Sequence, residues 1–338
     1  VSELKEQMNC PRCGGHKIKK NGFFRRQRNR RFVQRYQCST CKHHFSQQTF
    51  NKTYRQKRPD LLEGVLGQIS TGTGIRRTSF LLKTTTTTIQ RKIKFLHKVC
   101  ESFHFKHMSQ WKRSTKPRFQ FDELWSVEGD RWQSLTIPAV VEKDSYFIVS
   151  ARTAYDYCKS GKPAEKAFYD ARKKEEIKEQ DKIIKRTIKK CRTMKPEGRI
   201  VIDTDKATKY PKFLKDVFGD KLVHERFDAQ NEEEKKRLFP INNTIACLRA
   251  EKSMLRRESW YITKDKNWLN RHLSLYIVFY NYMRNKRYTT GKKIVEVYDE
   301  KTKQMTQKVR KITESKTPAM HLEIFKNPIS LEYVLRHA

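Results

Sequence analysis

Residues 119–151 read FQFDELWSVEGDRWQSLTIPAVVEKDSYFIVSA. Three apolar, β-branched and aromatic segments, FQFDELWSV (119–127), RWQSLTIPAVVE (131–142) and SYFIVSA (145–151), are separated by the turn signals Gly129-Asp130 and Lys143-Asp144. That punctuation predicts an antiparallel meander. Downstream, PAEKAFYDARKKEEIKEQDKIIKRTIKK, about 163–192, sets Ala, Ile and aromatic residues at three-to-four spacing and predicts a long helix. RIVIDTD (199–205) follows as a buried strand, then ATKYPKFLKDVF as a helix, KLVHERF as a short strand, and a helix from about Ile241 to Glu258.

Three strands, helix, strand, helix, strand, helix is the ribonuclease H-like order, so the expected class is α/β. The order puts Asp122 in the middle of the first strand and Asp205 at the end of the fourth, its expected neighbour. Two carboxylates brought together are costly unless a cation screens them. A pair of magnesium ions, which take oxygen ligands and keep positions open for phosphate, resolves that cost. Asp203, one strand repeat before Asp205, shares its face and is the rival on that strand.

Outward from this region the charge becomes lopsided. The 338 residues carry 75 Lys+Arg against 37 Asp+Glu, a formal net charge of +38, with 36% hydrophobic residues. That excludes an ordinary neutral metabolic enzyme, and the apolar content excludes wholesale disorder. Residues 1–118 hold 28 Lys+Arg and 5 Asp+Glu, whereas residues 119–338 hold 47 and 32. A polyanion is the expected partner, nucleic acid first, because each cation set on a phosphate releases counterions. No run of about 18 apolar residues occurs, and no order typical of a secretion signal, so a soluble intracellular protein is expected.

The eight cysteines include two Cys-x-x-Cys pairs, Cys10 and Cys13 in CPRCG and Cys38 and Cys41 in CSTCK, with 24 residues between them. Four thiolates on two tight knuckles predict a structural zinc site, which supplies the folding energy that a module of about 40 residues lacks. His16, His43 and His44 lie close by and are read as surface residues, and Cys100, Cys158, Cys191 and Cys247 as plain thiols. The intervening hairpin carries Arg25, Arg26, Arg28, Arg30 and Arg31, interleaved with aromatics, which suits pressing cations against DNA phosphates.

From Asp60 the pattern turns helical: DLLEGVLGQIS, a break at TGTG (71–74), IRRTSFLL, then KTTTTTIQRKIKFLHKV. Helices of this length around short turns predict a helix-turn-helix, with Thr84 as the cap of the last helix. Thr86 and Thr87 would meet base edges at its start, and Arg76, Arg77, Arg91 and Lys94 supply cations. The basic stretch KRSTKPR (112–118) marks the next boundary. The expected division is a zinc ribbon over 1–50, a helix-turn-helix over 51–111, a catalytic domain over 112–286 and a C-terminal hairpin and tail over 287–338. The apolar stretch 265–286 is expected to pack on the sheet or form a dimer contact.

Asp122-Glu123-Leu124-Trp125 resembles the Asp-Glu-x-Trp motif of the insertion-sequence-one family of DDE transposases. Thr204-Asp205, with Tyr210 five residues on, is similar to the family's second motif, and 241–264 lines up with its third region through Leu248, Arg249, Leu255, Arg257, Ser259 and Lys264. The tail 317–335 is also similar to that of related transposases. The resemblance covers nearly the whole chain and implies a transposase that binds terminal inverted repeats, cleaves DNA and transfers strands. It implies a homodimer or higher oligomer on double-stranded DNA, in the cytoplasm and nucleoid of a prokaryote. It carries the family's catalytic Glu onto Asn242, so the implied triad is Asp122, Asp205 and Asn242, holding two magnesium ions. Asn243, Glu251 and Glu232 to Glu234 are the alternatives for the third position. Arg249, Arg256 and Arg257 would hold phosphates beside it.

Overall fold

The computed structural model describes residues 8–25, 32–111, 117–156, 166–195, 197–255, 263–299 and 304–338. The chain divides into two compact units, one formed by residues up to Asp60 with Leu335–His337, the other by Leu61–Val334.

In the first unit β1 (Ile18–Arg25) pairs antiparallel with β2 (Phe32–Cys38), and β2 with β3 (His44–Phe45). This is the hairpin expected between the cysteine pairs. Its core is small: Cys10, Cys38 and Phe45 are buried, with Ile18, Tyr36 and Cys41 packed against them. So little apolar area does not hold a module of this size by itself.

The second unit opens with α1 (Leu61–Ser70), α2 (Ile75–Leu81) and α3 (Thr86–Met108). The cap of α3 is Thr85 rather than Thr84, its hydroxyl accepting the Thr88 N–H at 3.2 Å. The Thr84 N–H still bonds the Ser79 carbonyl at 2.9 Å, closing α2, which leaves Thr85 as the first residue free to cap. Ile89, Ile93, Leu96, Cys100 and Phe103 form the buried stripe of α3.

Next come β4 (Arg118–Glu128), β5 (Asp130–Glu142), β6 (Ile148–Ala151), β7 (Ala154–Tyr155), α4 (Lys166–Lys189), α5 (Cys191–Met194) and β8 (Ile200–Asp205). They are followed by α6 (Tyr210–Phe218), β9 (Leu222–Phe227), α7 (Glu232–Arg237), α8 (Phe239–Glu251) and α9 (Lys266–Val278). The main sheet runs β6-β5-β4-β8-β9, with β7 beside β5. β4, β5 and β6 are antiparallel neighbours, whereas β4, β8 and β9 are parallel. The fold is therefore α/β with a mixed sheet. The chain closes with β10 (Lys286–Asp299), β11 (Gln304–Lys316), α10 (Pro318–His321) and α11 (Leu331–His337).

Three elements depart from expectation for local reasons. The third strand begins at Ile148 rather than Ser145, because the Glu142 carboxylate accepts both the Ser145 N–H and its hydroxyl, and Tyr146 takes a φ of 60°. That holds Lys143 to Phe147 as a turn. Helix α8 ends at Glu251 rather than Glu258: Lys252 leaves helical backbone and buries its ammonium against the Ile69 and Ser70 carbonyls at the end of α1. The stretch 265–286 is α9 followed by a π turn, Phe279–Met283. Asp265 caps α9 through the Asn267 and Trp268 N–H groups. Leu269 and the run His272–Val278 are buried, so α9 lies between the sheet and α3, and packing on the sheet is the first of the two expected arrangements. Helix α9 packs on α3, and both belong to the second compact unit.

One core layer is made by Leu124, Leu135, Ile137, Ala139 and Val141 of the sheet against Ile241, Ile245 and Leu248 of α8 and Leu269, Leu273 and Tyr276 of α9. Leu124 shares a face of β4 with Gln120 and Asp122, so α8 and α9 cover the face on which Asp122 stands. Among the described residues no helix is long and apolar enough to cross a membrane.

Candidate metal centre and active site

The two cysteine knuckles are built alike. Gly14 N–H bonds the Cys10 carbonyl at 2.9 Å, and Lys42 N–H bonds the Cys38 carbonyl at 3.0 Å. Gly14 and Lys42 both take left-handed φ, 70° and 59°. That tight turn puts each pair of sulfurs on one side of the loop. Across the module Cys10 Sγ lies 3.5 Å from Cys41 Sγ, and Cys13 Sγ lies 3.6 Å from Cys38 Sγ. All four sulfurs fall within 4.8 Å of one another. Tetrahedral zinc with bonds of about 2.3 Å requires sulfurs about 3.8 Å apart, so the donor set fits. The Cys41 backbone N–H, followed by that of Thr40, holds the Cys38 thiol down at about 6. The histidines point elsewhere: His16 to Asn9 at 2.7 Å, His44 to Asn21 at 3.1 Å, and His43 onto the Phe45 ring.

The acidic centre is assembled by strand register. β4 and β8 pair in parallel through Arg118 with Val201, Phe119 with Ile202 and Gln120 with Asp203. Two residues further along each strand stand Asp122 and Asp205, on the same faces as Gln120 and Asp203. Burial raises the Asp122 carboxyl to about 6, with the Asp205 charge a further cause, against the Glu123 N–H that favours the carboxylate. Tyr210, at the first turn of α6, aims its hydroxyl at Asp122 Oδ1 at 3.5 Å, and Asp205 accepts the Ala207 N–H at 3.0 Å. The Glu123, Asp122 and Asp205 charges together add to the burial that raises Tyr210.

Asp203 is engaged differently. Arg118 Nε donates to both of its oxygens at 2.8 and 2.9 Å, and Lys143 Nζ approaches at 3.2 Å. Glu123 lies on the other face of β4, accepting the Thr136 hydroxyl at 2.6 Å and pairing with Lys209 at 2.8 Å.

Asn242 is exposed in the first turn of α8. The start of that helix is pinned to the Asp122 face by buried Gln120, whose Nε2 donates to the Arg237 carbonyl at 2.7 Å and whose Oε1 accepts the Ile241 N–H at 3.0 Å. The alternatives have other partners. Asn243 Oδ1 accepts from Lys286 Nζ at 2.7 Å, and Glu251 pairs with Arg284. Glu232 pairs with Lys235 and Glu233 with Lys236, while Glu234 accepts the Asp228 N–H. Among the described residues, the four cysteines are the only cluster of three or more His, Cys, Asp and Glu side chains at metal-holding distances. Among the described residues the acid pair therefore has no third carboxylate at metal-sharing distance.

Of the cations expected to face DNA, Arg25, Arg76, Arg77, Arg91 and Lys94 are exposed, as are Thr86 and Thr87. Lys94 Nζ also lies 5.7 Å from the centre of the Trp268 ring. Arg249 is half-buried. Arg26, Arg28, Arg30, Arg31, Arg256 and Arg257 lie outside the described residues. Gln120 and Tyr210 are the residues that position this site; Tyr210 is signalled by its spacing from Asp205, and Gln120 only by its place one strand repeat before Asp122. Comparison with protein-family models finds no match, and comparison with curated proteins finds none.

Proposed function

We propose that the chain is a DNA transposase of ribonuclease H-like architecture, which binds the terminal inverted repeats of an insertion sequence and catalyses metal-dependent cleavage and strand transfer. The observation that carries this reading is that strand register sets Asp122, within β4, beside Asp205, at the end of β8, in a chain of net charge +38. The strand order and the exposed cations and threonines of α2 and α3 support it, as does a four-cysteine module suited to structural zinc.

Asp122 and Asp205 would hold two magnesium ions, with the Asn242 amide oxygen completing the set. Bound there, magnesium offsets charge on phosphate oxygens and makes water a better nucleophile at neutral pH. Two carboxylates and an exposed amide provide oxygen donors and leave positions open, which suits that ion. Tyr210 orients Asp122, and Gln120 fixes the helix that presents Asn242. In the first reaction water attacks phosphorus at the element's end and the P–O3′ bond breaks. The freed 3′-hydroxyl then attacks a target phosphodiester, displacing its 3′-oxygen. Joining two ends calls for at least a dimer, working in the cytoplasm and nucleoid of a prokaryote.

The absence of a third carboxylate among the described residues favours a second reading, a DNA-binding regulator without nuclease activity. Purified protein incubated with magnesium or manganese and a labelled element end separates the two. Cleavage with joined product supports the transposase, cleavage alone a nuclease, and tight binding without either the regulator. Asp205→Ala should abolish nicking and leave end binding intact; nicking that persists refutes the site. Asn242→Glu should raise activity if the amide occupies the third position.

A further inference from the structure

β10 and β11 form a sheet of their own, antiparallel over thirteen pairs from Lys286/Lys316 to Asp299/Gln304, with one bulge between Thr289 and Gly291. Fourteen residues of strand extend about 45 Å. Nothing in the functional reading uses this ribbon. Ile294, Met305, Val309 and Ile312 along it are exposed, so it is not folded back onto an apolar surface there.

Its charge is unusual in register as well as in amount. Residues 286–316 contain ten Lys or Arg against four Asp or Glu. Lys292 stands opposite Lys311, and on the next rung Lys293 stands opposite Arg310. All four are exposed, and among the described residues none forms an ion pair. Consecutive rungs point to opposite faces, so the ribbon carries a like-charged pair on each face at nearly one level. Like charges directly across a strand pair destabilise it. Lysine is common on edge strands as protection against pairing with other chains, but that role needs no cation facing a cation. An anion laid along the ribbon removes the repulsion.

We propose that this hairpin is a further, sequence-independent grip on duplex DNA, with Lys292, Lys293, Arg310 and Lys311 set against backbone phosphates. A two-stranded ribbon fits the major groove, which is about 12 Å wide and flanked by phosphates on both sides. The inference rests on the reading of the chain as a DNA-binding protein, but not on its chemistry. The other conceivable occupant, a second copy meeting the apolar rung Ile294/Val309, has four uncompensated cations against it.

The test uses the full chain and the combined variant Lys292→Gln, Lys293→Gln, Arg310→Gln and Lys311→Gln. Binding to an arbitrary duplex of about 30 base pairs is followed by anisotropy from about 50 to 300 mM salt. The variant should keep the native melting temperature or exceed it, since two repulsive pairs are gone. Its plot of log affinity against log salt should be shallower by about 2 to 4, at about 0.9 per lost phosphate contact, with affinity reduced at least about tenfold near 0.1 M salt. Unchanged slope and affinity overturn the proposal. Ile294→Thr with Val309→Thr should leave DNA binding intact. If that pair instead lowers the sedimenting mass while the glutamine variant binds DNA normally, the hairpin is a surface between copies and the proposal fails. A native chain that binds no duplex at any salt refutes the functional reading itself, whereas native binding with an indifferent glutamine variant refutes the hairpin alone.

Discussion

Asp203 and Asp205 sit two residues apart on one face of β8, and their surroundings are opposite. Asp203 is wholly buried and held by Arg118 on both oxygens and by Lys143, with Arg118 reaching on to Glu225. Asp205 stands at the strand end beside Asp122, and among the described residues neither of these forms an ion pair. A chain with 75 cations and 37 acids has no shortage of Lys and Arg to neutralise a second acidic site. The contrast separates an acid that serves the fold and brings its cations with it from acids gathered without them, the pair that the proposed function assigns to magnesium.

The strongest way to break this comparison is to exchange the two residues' fates. Asp203→Ala leaves Lys143 partly buried without its anion and Arg118 with Glu225 alone, and should cost about 3–5 kcal/mol in denaturant unfolding. Asp205→Ala should cost little or stabilise the metal-free protein, because it removes a repulsion. Equal losses would erase the distinction. Next in size is the response to magnesium, which should stabilise the native protein by about 2.7 kcal/mol at a hundredfold excess over its dissociation constant. Asp205→Asn should abolish that gain.

Burial above all, and Asp205 after it, raise the Asp122 carboxyl to about 6, above its unfolded value of 3.8. A raised acid favours the folded state fully below the unfolded pKa, and that contribution is lost as pH rises through the folded one. Metal-free protein should therefore lose stability between about pH 4 and pH 6. Asp122→Asn should be more stable than the native chain at pH 8 by about 1–3 kcal/mol, a difference that vanishes by about pH 4. Thermal melts of both proteins across that range decide it.

The parts of this arrangement legible in the sequence are those set by short-range periodicity. Sulfur spacing foretold the knuckles, because each pair closes within its own turn. Strand alternation and element order set Asp122 and Asp205 on one face of neighbouring strands, because register carries the face from Gln120 and Asp203 to the residues two further on. The features that stayed hidden depend on partners distant in the chain. Arg118 lies 85 residues from Asp203 and Lys143 lies 60; one read as the end of a basic linker and the other as a turn residue. Lys252, 183 residues from the Ile69 carbonyl it bonds, gave no sign that it would end α8 and clasp α1. The ribbon 286–316 was legible only as a hairpin within 287–338, because lysines and threonines at its base resemble a solvated loop and leave its strand ends unmarked.

The smallest expected effect concerns Glu123, the immediate neighbour of Asp122 in sequence and its opposite in space. The pleat turns Glu123 to the far face of β4, where it meets Thr136 and Lys209. Lys209 is 44% exposed, so solvent screens the pair and its loss should cost under about 1 kcal/mol. Glu123→Gln retains an oxygen for the Thr136 hydroxyl and should leave the magnesium-induced stabilisation at its native size. Were that stabilisation lost, Glu123 rather than Asp122 would face the metal, and the alternation that separates the two faces of β4 would have to be reversed.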